Sequence, residues 1–228
     1  MKKLTKKALS IILCIVMLMS TFVIGITASA ANANSGKCGD NLTWTLDDKG
    51  TLTISGTGDM YNYDINYDSP WYHNKDVKVI IIDNGVTSIG GVAFGYCENL
   101  TKVTIPDSVT NIGEGAFMDC TRLTSVIIPS GVTAINKGTF IDCSSLISIT
   151  IPKSVIIIET SAFSHCSSLK DVNYSGSEKD KNNIYVADYN SDLMRATWHY
   201  AKNSNNIFAQ ISSFFAKIVD FFKSLFKF

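Results

Sequence analysis

A period of 23 residues runs through the middle of the chain and restricts the folds that it can adopt. Between about Val77 and Leu169, four residue types return at fixed positions in four copies, and proline returns in three. The recurring sets are Phe94, Phe117, Phe140 and Phe163; Leu100, Leu123, Leu146 and Leu169; Val86, Val109, Val132 and Val155; Ile89, Ile112, Ile135 and Ile158; and Pro106, Pro129 and Pro152. A unit this short cannot bury its own apolar face, so the copies must stack and cover one another.

Each copy predicts one coil of a solenoid. Val103 and Ile105 alternate along a β-branched run, which indicates a short strand with one buried face. Pro106 then ends the strand because it has no N–H to donate. Ala116 and Phe117 are expected to close the coil on a short helical turn. Equivalent strands of successive coils should pair in parallel, about 4.8 Å apart.

The unit L-x-x-V-x-I-P-x-x-V-x-x-I-x-x-x-A-F-x-x-C-x-x-L resembles the BspA-like leucine-rich repeats of bacterial surface and secreted proteins. Segments 38–46, 50–58 and 69–72 resemble the N-terminal cap of that family, and segments 173–177 and 196–200 its C-terminal cap. The resemblance covers about residues 36–200. It implies a leucine-rich-repeat solenoid and adhesion to host or neighbouring-cell proteins, but no particular ligand.

The domain organisation follows from the repeats and their flanks. We expect a signal peptide over 1–30, an N-terminal cap over 31–76, leucine-rich repeats over 77–174, a C-terminal cap over 175–202 and an amphipathic helix over 203–228. Within the N-terminal cap, apolar residues alternate on both sides of segment 47–50, which is typical of a β-hairpin. The predicted fold is therefore mostly β, with short parallel strands, a hairpin cap and a C-terminal amphipathic helix.

The first thirty residues have the features of a secretory signal. Four lysines precede an apolar run over 8–26, and Ala28, Ser29 and Ala30 form a small-residue cleavage site. An uncleaved membrane anchor is the alternative, because the apolar run is long enough to span a bilayer. Cleavage leaves 16 basic and 20 acidic residues, a net charge of about −4. A mildly acidic chain with no basic cluster before its C-terminus is a poor nucleic-acid binder.

Five cysteines remain after cleavage, and four of them follow the repeat: Cys97, Cys120, Cys143 and Cys166. Stacked coils place equivalent side chains in a line about 4.8 Å apart. A disulfide requires converging Cβ atoms, and zinc requires ligands around one point. We therefore expect a column of buried thiols that pack as small apolar groups. Cys38 stands alone, either linked to a partner chain or buried.

The sequence offers no catalytic, cofactor or metal site. The three histidines, His73, His165 and His199, have no metal-pair spacing. His165 lies beside Cys166, which permits a Cys-His nucleophile, but no orienting group accompanies it. Glycine-rich phosphate loops and paired carboxylates in a recognisable frame are also missing. We therefore expect a protein that is not an enzyme.

The outward positions of the predicted strands form a candidate partner-binding strand face. Its residues are Lys102, Thr104, Ser125, Ile127, Ser148, Thr150, Asp171 and Asn173. Val79 and Ile81 begin the same row, which is about 20 Å long across five strands. Because the row is rich in hydroxyls and has no charge cluster, it suits an extracellular protein or glycan better than a phosphate. The alternative is that these residues are β-formers that merely face water.

The C-terminal segment is the second candidate functional region. Its apolar residues recur every three or four positions, as in an amphipathic helix: Phe208, Ile211, Phe214, Phe215, Ile218, Phe221, Phe222, Leu225 and Phe226. Three alternatives stay open, namely a membrane-interface anchor, pairing with a copy or partner, and folding back onto the solenoid. The polar linker 203–206 favours the membrane over tight docking.

Together these features predict a non-catalytic, secreted or cell-surface module for binding or adhesion. We expect its repeat surface to contact a protein or glycan, and its C-terminal helix to attach it to a membrane surface or to self-associate. The alternative is a membrane-active secreted protein in which that helix is the effector. Neither alternative requires a cofactor or a nucleic acid.

Overall fold

The computed structural model describes residues 34–64 and 69–201. The strands are β1 (Asn34–Lys37), β2 (Leu42–Leu46), β3 (Thr51–Gly56), β4 (Gly58–Asp59), β5 (Val79–Ile82), β6 (Val86–Ile89), β7 (Lys102–Thr104), β8 (Asn111–Ile112), β9 (Ser125–Ile127), β10 (Ala134–Ile135), β11 (Ser148–Ile151), β12 (Ile157–Ile158), β13 (Asp171–Tyr174), β14 (Tyr185–Val186) and β15 (Thr197–Tyr200). The helices in this part are α1 (Glu178–Lys181) and α2 (Ser191–Arg195). Short strands and few helices confirm the predicted mostly-β fold class.

The longer strands form one side of the solenoid. They lie in the orders β1-β2-β3-β5-β7 and β15-β13-β11-β9. From β3 onward all pairs are parallel, and Ser148 of β11 lies between Ser125 of β9 and Asp171 of β13, each 23 positions away. The repeat therefore sets the register, and equivalent side chains of successive coils lie next to one another.

Two antiparallel pairings precede the parallel strands. Strand β2 pairs with β1 and with β3, and Trp44 lies opposite Ile54. The turn between β2 and β3 is fixed by Asp47, whose Oδ1 accepts hydrogen bonds from the amides of Lys49 at 2.9 Å and Thr51 at 2.8 Å. Gly50 closes this turn with a φ of 85°, a conformation that glycine adopts at little cost.

The shorter strands form a second side of the solenoid, in the orders β4-β6-β8 and β10-β12-β14. These pairs are also parallel, for example Ile89 with Ile112 and Ile135 with Ile158. Isoleucine at these positions faces inward and is buried. Each coil therefore contributes two short strands that enclose the core between them.

A stack of aromatic rings runs through the core. Phe94, Phe117, Phe140 and Phe163 are fully buried, with centroids of neighbouring rings 5.4–5.6 Å apart. Trp71 continues the stack below Phe94 at 5.5 Å and meets Trp44 edge-on at 5.4 Å. The sequence analysis assigned Trp71 to the cap, but its ring takes the phenylalanine position of a further coil.

The predicted short helical turn at Ala116 and Phe117 is wrong. The segment consists of successive four-residue turns, in which the amide of Ala116 donates to Gly113 and that of Met118 to Gly115. Left-handed φ angles of 61° at Gly115 and 54° at Asp119 interrupt any helix. The amide of Phe117 donates instead to the carbonyl of Thr139 in the next coil, at 2.9 Å. Contact between coils therefore replaces the hydrogen bonds of a helix.

The last coil has no following repeat in the described part, and side chains supply the missing contacts. Asn190 Oδ1 accepts the hydrogen bond of the Phe163 amide at 2.9 Å, which earlier coils give to the next backbone. Asn190 Nδ2 donates to the carbonyls of Glu159 and Ala187 at 2.9 Å. Helix α2 adds the fully buried Leu193. The buried polar groups of this coil are thus paired.

Both sides of the solenoid are interrupted at the same place. Strand β7 is not paired with β9, and β8 is not paired with β10. Across this seam the turns remain joined, because the amides of Gly115, Phe117 and Asp119 all donate to the next coil. The seam is therefore a break in the strand hydrogen bonds between two coils, and the turns still hold the coils together.

Candidate functional site

The strand face predicted from the sequence exists as one surface of the long-strand side. Lys102, Thr104 and Ser125 are exposed on β7 and β9, and Ile127 has 69% of its surface exposed. Parallel pairing places Ser148 beside Asp171 and Thr150 beside Asn173. Ser148, Thr150 and Asp171 are half-buried, whereas Asn173 is exposed. The eight residues therefore share a face, with the most accessible ones near its centre.

The same face extends further than the sequence analysis placed it. Strand β3 adds Thr53 beside Ile81, and β2 adds Thr45 beside Thr53. At the other end, β15 adds Thr197 beside Asp171 and His199 beside Asn173. The alternation of residues 43–55 indicated strands, whereas segment 197–200 was assigned only to the C-terminal cap, and the 23-residue period connected neither to the repeat.

Chemically, the strand face is neutral and combines hydroxyl with aliphatic side chains. Along its central row, threonine alternates with Ile81 and Ile127, of which Ile81 is 38% exposed. Charge is confined to single residues, and Asp171 Oδ1 lies 2.7 Å from His199 Nε2 at the far end. Such a face offers hydrogen-bonding groups and apolar contacts to a flat partner, but no field that would attract a highly charged ligand.

The seam crosses this face between β7 and β9. A cavity of about 220 Å³ lies there, lined by residues 102–105 and 125–127. Val103 and Val126 form its buried floor. Four of the predicted residues also line the cavity, namely Lys102, Thr104, Ser125 and Ile127. The centre of the strand face therefore has a depression, which a continuous sheet would not have.

The cysteine column is buried as expected and has a further role. Cys120, Cys143 and Cys166 donate through Sγ to the carbonyls of Phe94, Phe117 and Phe140 at 3.1–3.2 Å, and Cys97 approaches the carbonyl of Trp71 at 3.8 Å. Burial raises the pKa of Cys97 and Cys166 to about 12, and those of Cys120 and Cys143 well above the usual value. Each thiol therefore stays protonated and joins its coil to the preceding one.

Cys38 is also fully buried and unpaired. Its burial raises the pKa of the thiol to about 11. Of the two alternatives that the sequence left open, the structure favours the buried thiol over a link to a partner chain.

The Cys-His pair that the sequence permits is not assembled. The Cys166 thiol points into the core toward Phe140, whereas His165 is exposed and its Nδ1 lies 2.9 Å from Asp142 Oδ1. A buried, protonated thiol is a poor nucleophile. His165 belongs instead to a column of turn residues with left-handed φ, made of His73, Tyr96, Asp119, Asp142 and His165.

Two kinds of feature are absent from the described residues, namely a metal-binding group and a membrane-spanning helix. Over residues 34–64 and 69–201, histidine, cysteine and acidic side chains form no group of three or more that could hold a metal ion. In the same ranges, no helix combines the length and the hydropathy needed to cross a bilayer. The C-terminal residues Phe208, Ile211, Phe214, Phe215, Ile218, Phe221, Phe222, Leu225 and Phe226 lie outside these ranges, as does the signal peptide.

The repeats match a known family. A family description for BspA type leucine-rich repeat regions fits residues 67–188 in six copies. This match confirms the resemblance drawn from the sequence and extends over more than half of the chain. No curated protein matches the sequence significantly.

Several solved structures are similar. A leucine-rich repeat protein from Eubacterium ventriosum ATCC 27560 is 30% identical over 66% of this chain and 46% of its own, with a TM-score of 0.53. One from Bacteroides ovatus ATCC 8483 is 26% identical over 67% and 42%, with a TM-score of 0.50. A leucine rich cell surface protein from Faecalibacterium prausnitzii A2-165 is 31% identical over 65% and 41%, with a TM-score of 0.43. The chain spans less than half the length of these three proteins.

Proposed function

Because the chain belongs to the family of BspA-type leucine-rich-repeat proteins, we propose that it is an extracellular binding module. Leucine-rich repeats generally mediate protein interactions and are typically not catalytic, since a stack of coils presents extended surfaces rather than a closed cleft. The predicted signal peptide over residues 1–30 supports an extracellular or cell-surface location. The ligand is a protein or glycan, and adhesion is the biological role that such binding serves.

One observation carries the proposal, namely the exposed aliphatic side chains within the hydroxyl-rich strand face. Ile127 and Ile81 lie exposed between threonines on adjoining strands, where polar residues form strands equally well. An apolar group at the centre of an interface, with polar groups around it, is the usual arrangement of a protein-binding surface. The cavity beneath Ile127 gives a partner side chain room to enter.

Membrane attachment through the C-terminal segment is not part of this proposal. Its residues lie outside the described ranges, so the sequence-based prediction of an anchor, or of a membrane-active effector, stays a prediction. The strand face requires neither, because binding there depends only on residues of the repeats.

The proposal is tested by binding of residues 31–228 to an array of extracellular matrix and cell-surface proteins and to a glycan array. A Thr104→Glu/Ile127→Glu variant places two charges on the strand face. The matched control, Thr110→Glu/Thr133→Glu, places two charges at exposed positions on the other side of the solenoid. We expect binding that the first variant loses and the control keeps. Equal binding by both variants, or no binding on either array, would contradict a role for the strand face.

A further inference from the structure

An apolar patch lies on the short-strand side of the last coil, at the C-terminal end of the described solenoid. We call it the end patch, and it consists of Ile156, Ile157 and Tyr185, which are 57%, 36% and 67% exposed. Ile157 is paired with Tyr185, and the amide of Tyr185 donates to the carbonyl of Ile156 at 2.9 Å. Ile156 and Ile157 are consecutive and Ile157 lies beside Tyr185, so the three exposed side chains lie on adjoining segments of backbone.

The end patch departs from the pattern of the preceding coils. The positions equivalent to Ile156 are Thr87, Thr110 and Thr133, all of which are exposed. The same stretch reads V-T-x-I three times and V-I-I-I once. Threonine suits an exposed strand position at least as well as isoleucine. Exposed apolar side chains grouped at this end of the short-strand side indicate that something covers them.

The end patch also adjoins unpaired backbone. Strands β14 and β15 are the outermost strands of their sheets at this end, so each has one free edge among the described residues. Free strand edges in soluble proteins are commonly covered by another element. Asn190 and α2 satisfy groups inside the coil, but Tyr185 remains largely exposed. The end of the solenoid is thus covered only in part.

We propose that the cover is the C-terminal segment of this same chain, residues 207–228, docked across the end patch. The chain leaves β15 at this end, where the amide of Ala201 donates to the carbonyl of Gly176 at 3.1 Å. The five linker residues 202–206 reach up to about 18 Å when extended. Packed layers of sheet lie about 10 Å apart, so the linker suffices to bring the segment from β15 to the short-strand side.

The chemistry of the two surfaces matches. The segment has a phenylalanine-rich face with the helical spacing of three and four, which requires an apolar surface to cover it. The end patch supplies aliphatic and aromatic groups, and the exposed Asp188 beside it faces a segment that carries three lysines, Lys217, Lys223 and Lys227, and one acid. A membrane would cover the segment but leave the end patch exposed, whereas docking covers both.

Hydrogen exchange of residues 31–228 tests this arrangement, with peptides around 157–158 and 184–187 as the readout. We expect amides of these peptides to exchange about tenfold faster when the chain is shortened to end at Ala201, because docking must open before they exchange. Phe214→Ser/Phe221→Ser, in the full chain, and Ile156→Thr, which restores the residue of the other coils, should have the same effect. Ile147→Thr is the matched control, since it is an exposed isoleucine whose equivalents are Thr101 and Thr124.

Three results would overturn the proposal. Exchange at the end patch that is equal in the full and shortened chains would show that the segment does not lie there. Protection that disappears on dilution would assign the end patch to a second copy of the chain. Absence of protection, together with sedimentation of the full chain on vesicles of phosphatidylglycerol and phosphatidylcholine but not of the shortened chain, would assign the segment to a membrane surface.

Discussion

Single residues with left-handed backbone recur at two positions of each coil. One of these positions is occupied by Val92, Gly115, Gly138 and Ser161, whose φ angles lie between 51° and 61°. For a residue with a Cβ this conformation costs about 1–2 kcal/mol, and a β-branched residue adopts it least readily. Val92 is therefore held in place by the hydrogen bonds between coils, since its amide donates to the carbonyl of Glu114 at 2.8 Å.

Gly138→Ala should lower the free energy of unfolding by about 1 kcal/mol. A Cβ at Gly138 meets no atom closer than Ile141 Cγ2 at 3.6 Å, so the cost arises from φ rather than from crowding. Val92→Gly should change stability by less than about 0.5 kcal/mol, because relief of strain offsets the lost contacts. Urea denaturation of both variants measures the effects. A stabilising Gly138→Ala would contradict the left-handed backbone.

The 23-residue period predicted which side chains face inward, but not these backbone angles. Glycine at 115 and 138 is compatible with left-handed φ, whereas valine at 92 argues against it, so no residue preference revealed the shared conformation. The same limit applies to the thiols. Burial of Cys143 followed from spacing, but its hydrogen bond to Phe117 depends on how one coil lies on the next.

At the scale of elements, the aromatic stack is a contact that continues from one coil to the next. Phe117 is fully buried between the rings of Phe94 and Phe140. Phe117→Ala should therefore lower the free energy of unfolding by about 3–5 kcal/mol through the cavity that it leaves. Thr104→Ala, on the exposed side of the same coil, should change it by less than about 0.5 kcal/mol. Thermal and urea denaturation give both values, and a large loss at Thr104 would mean that the faces are reversed.

The strands were predicted better than the turns. The strands of the long-strand side follow from alternation, which local sequence displays, and the repeat places them in register. The short strands β6, β8, β10 and β12 were not predicted, because the V-x-x-I spacing does not alternate. The turns at residues 113–120 are determined by hydrogen bonds from Phe117 and Asp119 to the next coil, and these bonds outweigh the tendency of Ala116 and Phe117 to begin a helix. Strand β15 lies 26 residues after its neighbour rather than 23, so the period alone does not connect it to the strand face.

At the scale of the whole molecule, the buried thiols lower the free energy of unfolding as the pH becomes alkaline. Folding raises the pKa of Cys97 and Cys166 from 9.0 to about 12, because burial disfavours the thiolate. Above pH 9 the unfolded chain loses these protons while the folded chain keeps them, so stability falls as pH rises from 9 toward 12. The slope is up to about 1.4 kcal/mol per pH unit for each thiol.

We therefore expect the free energy of unfolding, measured with urea in the presence of a reductant, to be flat near pH 8 and to fall steeply above pH 9. Cys143→Ala should lower the free energy of unfolding at pH 8. Above pH 9 the slope of that free energy against pH should be less steep, by the amount that the release of about one proton contributes. An unchanged slope in this variant would show that Cys143 does not contribute to the dependence.

Of the features of the whole molecule, the sequence predicted the stacking of coils but not the end patch. Stacking followed from the period alone, because each coil must cover its neighbour. The end patch did not follow from the period, although the sequence V-I-I-I at residues 155–158 was a sign of it. Only the pairing of Ile157 with Tyr185 shows that apolar residues of separate segments lie side by side.

The seam between β7 and β9 makes the solenoid unequal in its resistance to bending. Where strands are paired, bending stretches a ladder of hydrogen bonds on both sides. At the seam this ladder is missing, and the turns, the stacked rings of Phe117 and Phe140 and the side-chain hydrogen bonds of Asn136 and Cys143 resist bending instead. A pulling force along the solenoid would therefore concentrate its strain at the seam. The coils on either side of the seam would then move as two rigid blocks, and bending would occur between them, beneath the centre of the strand face.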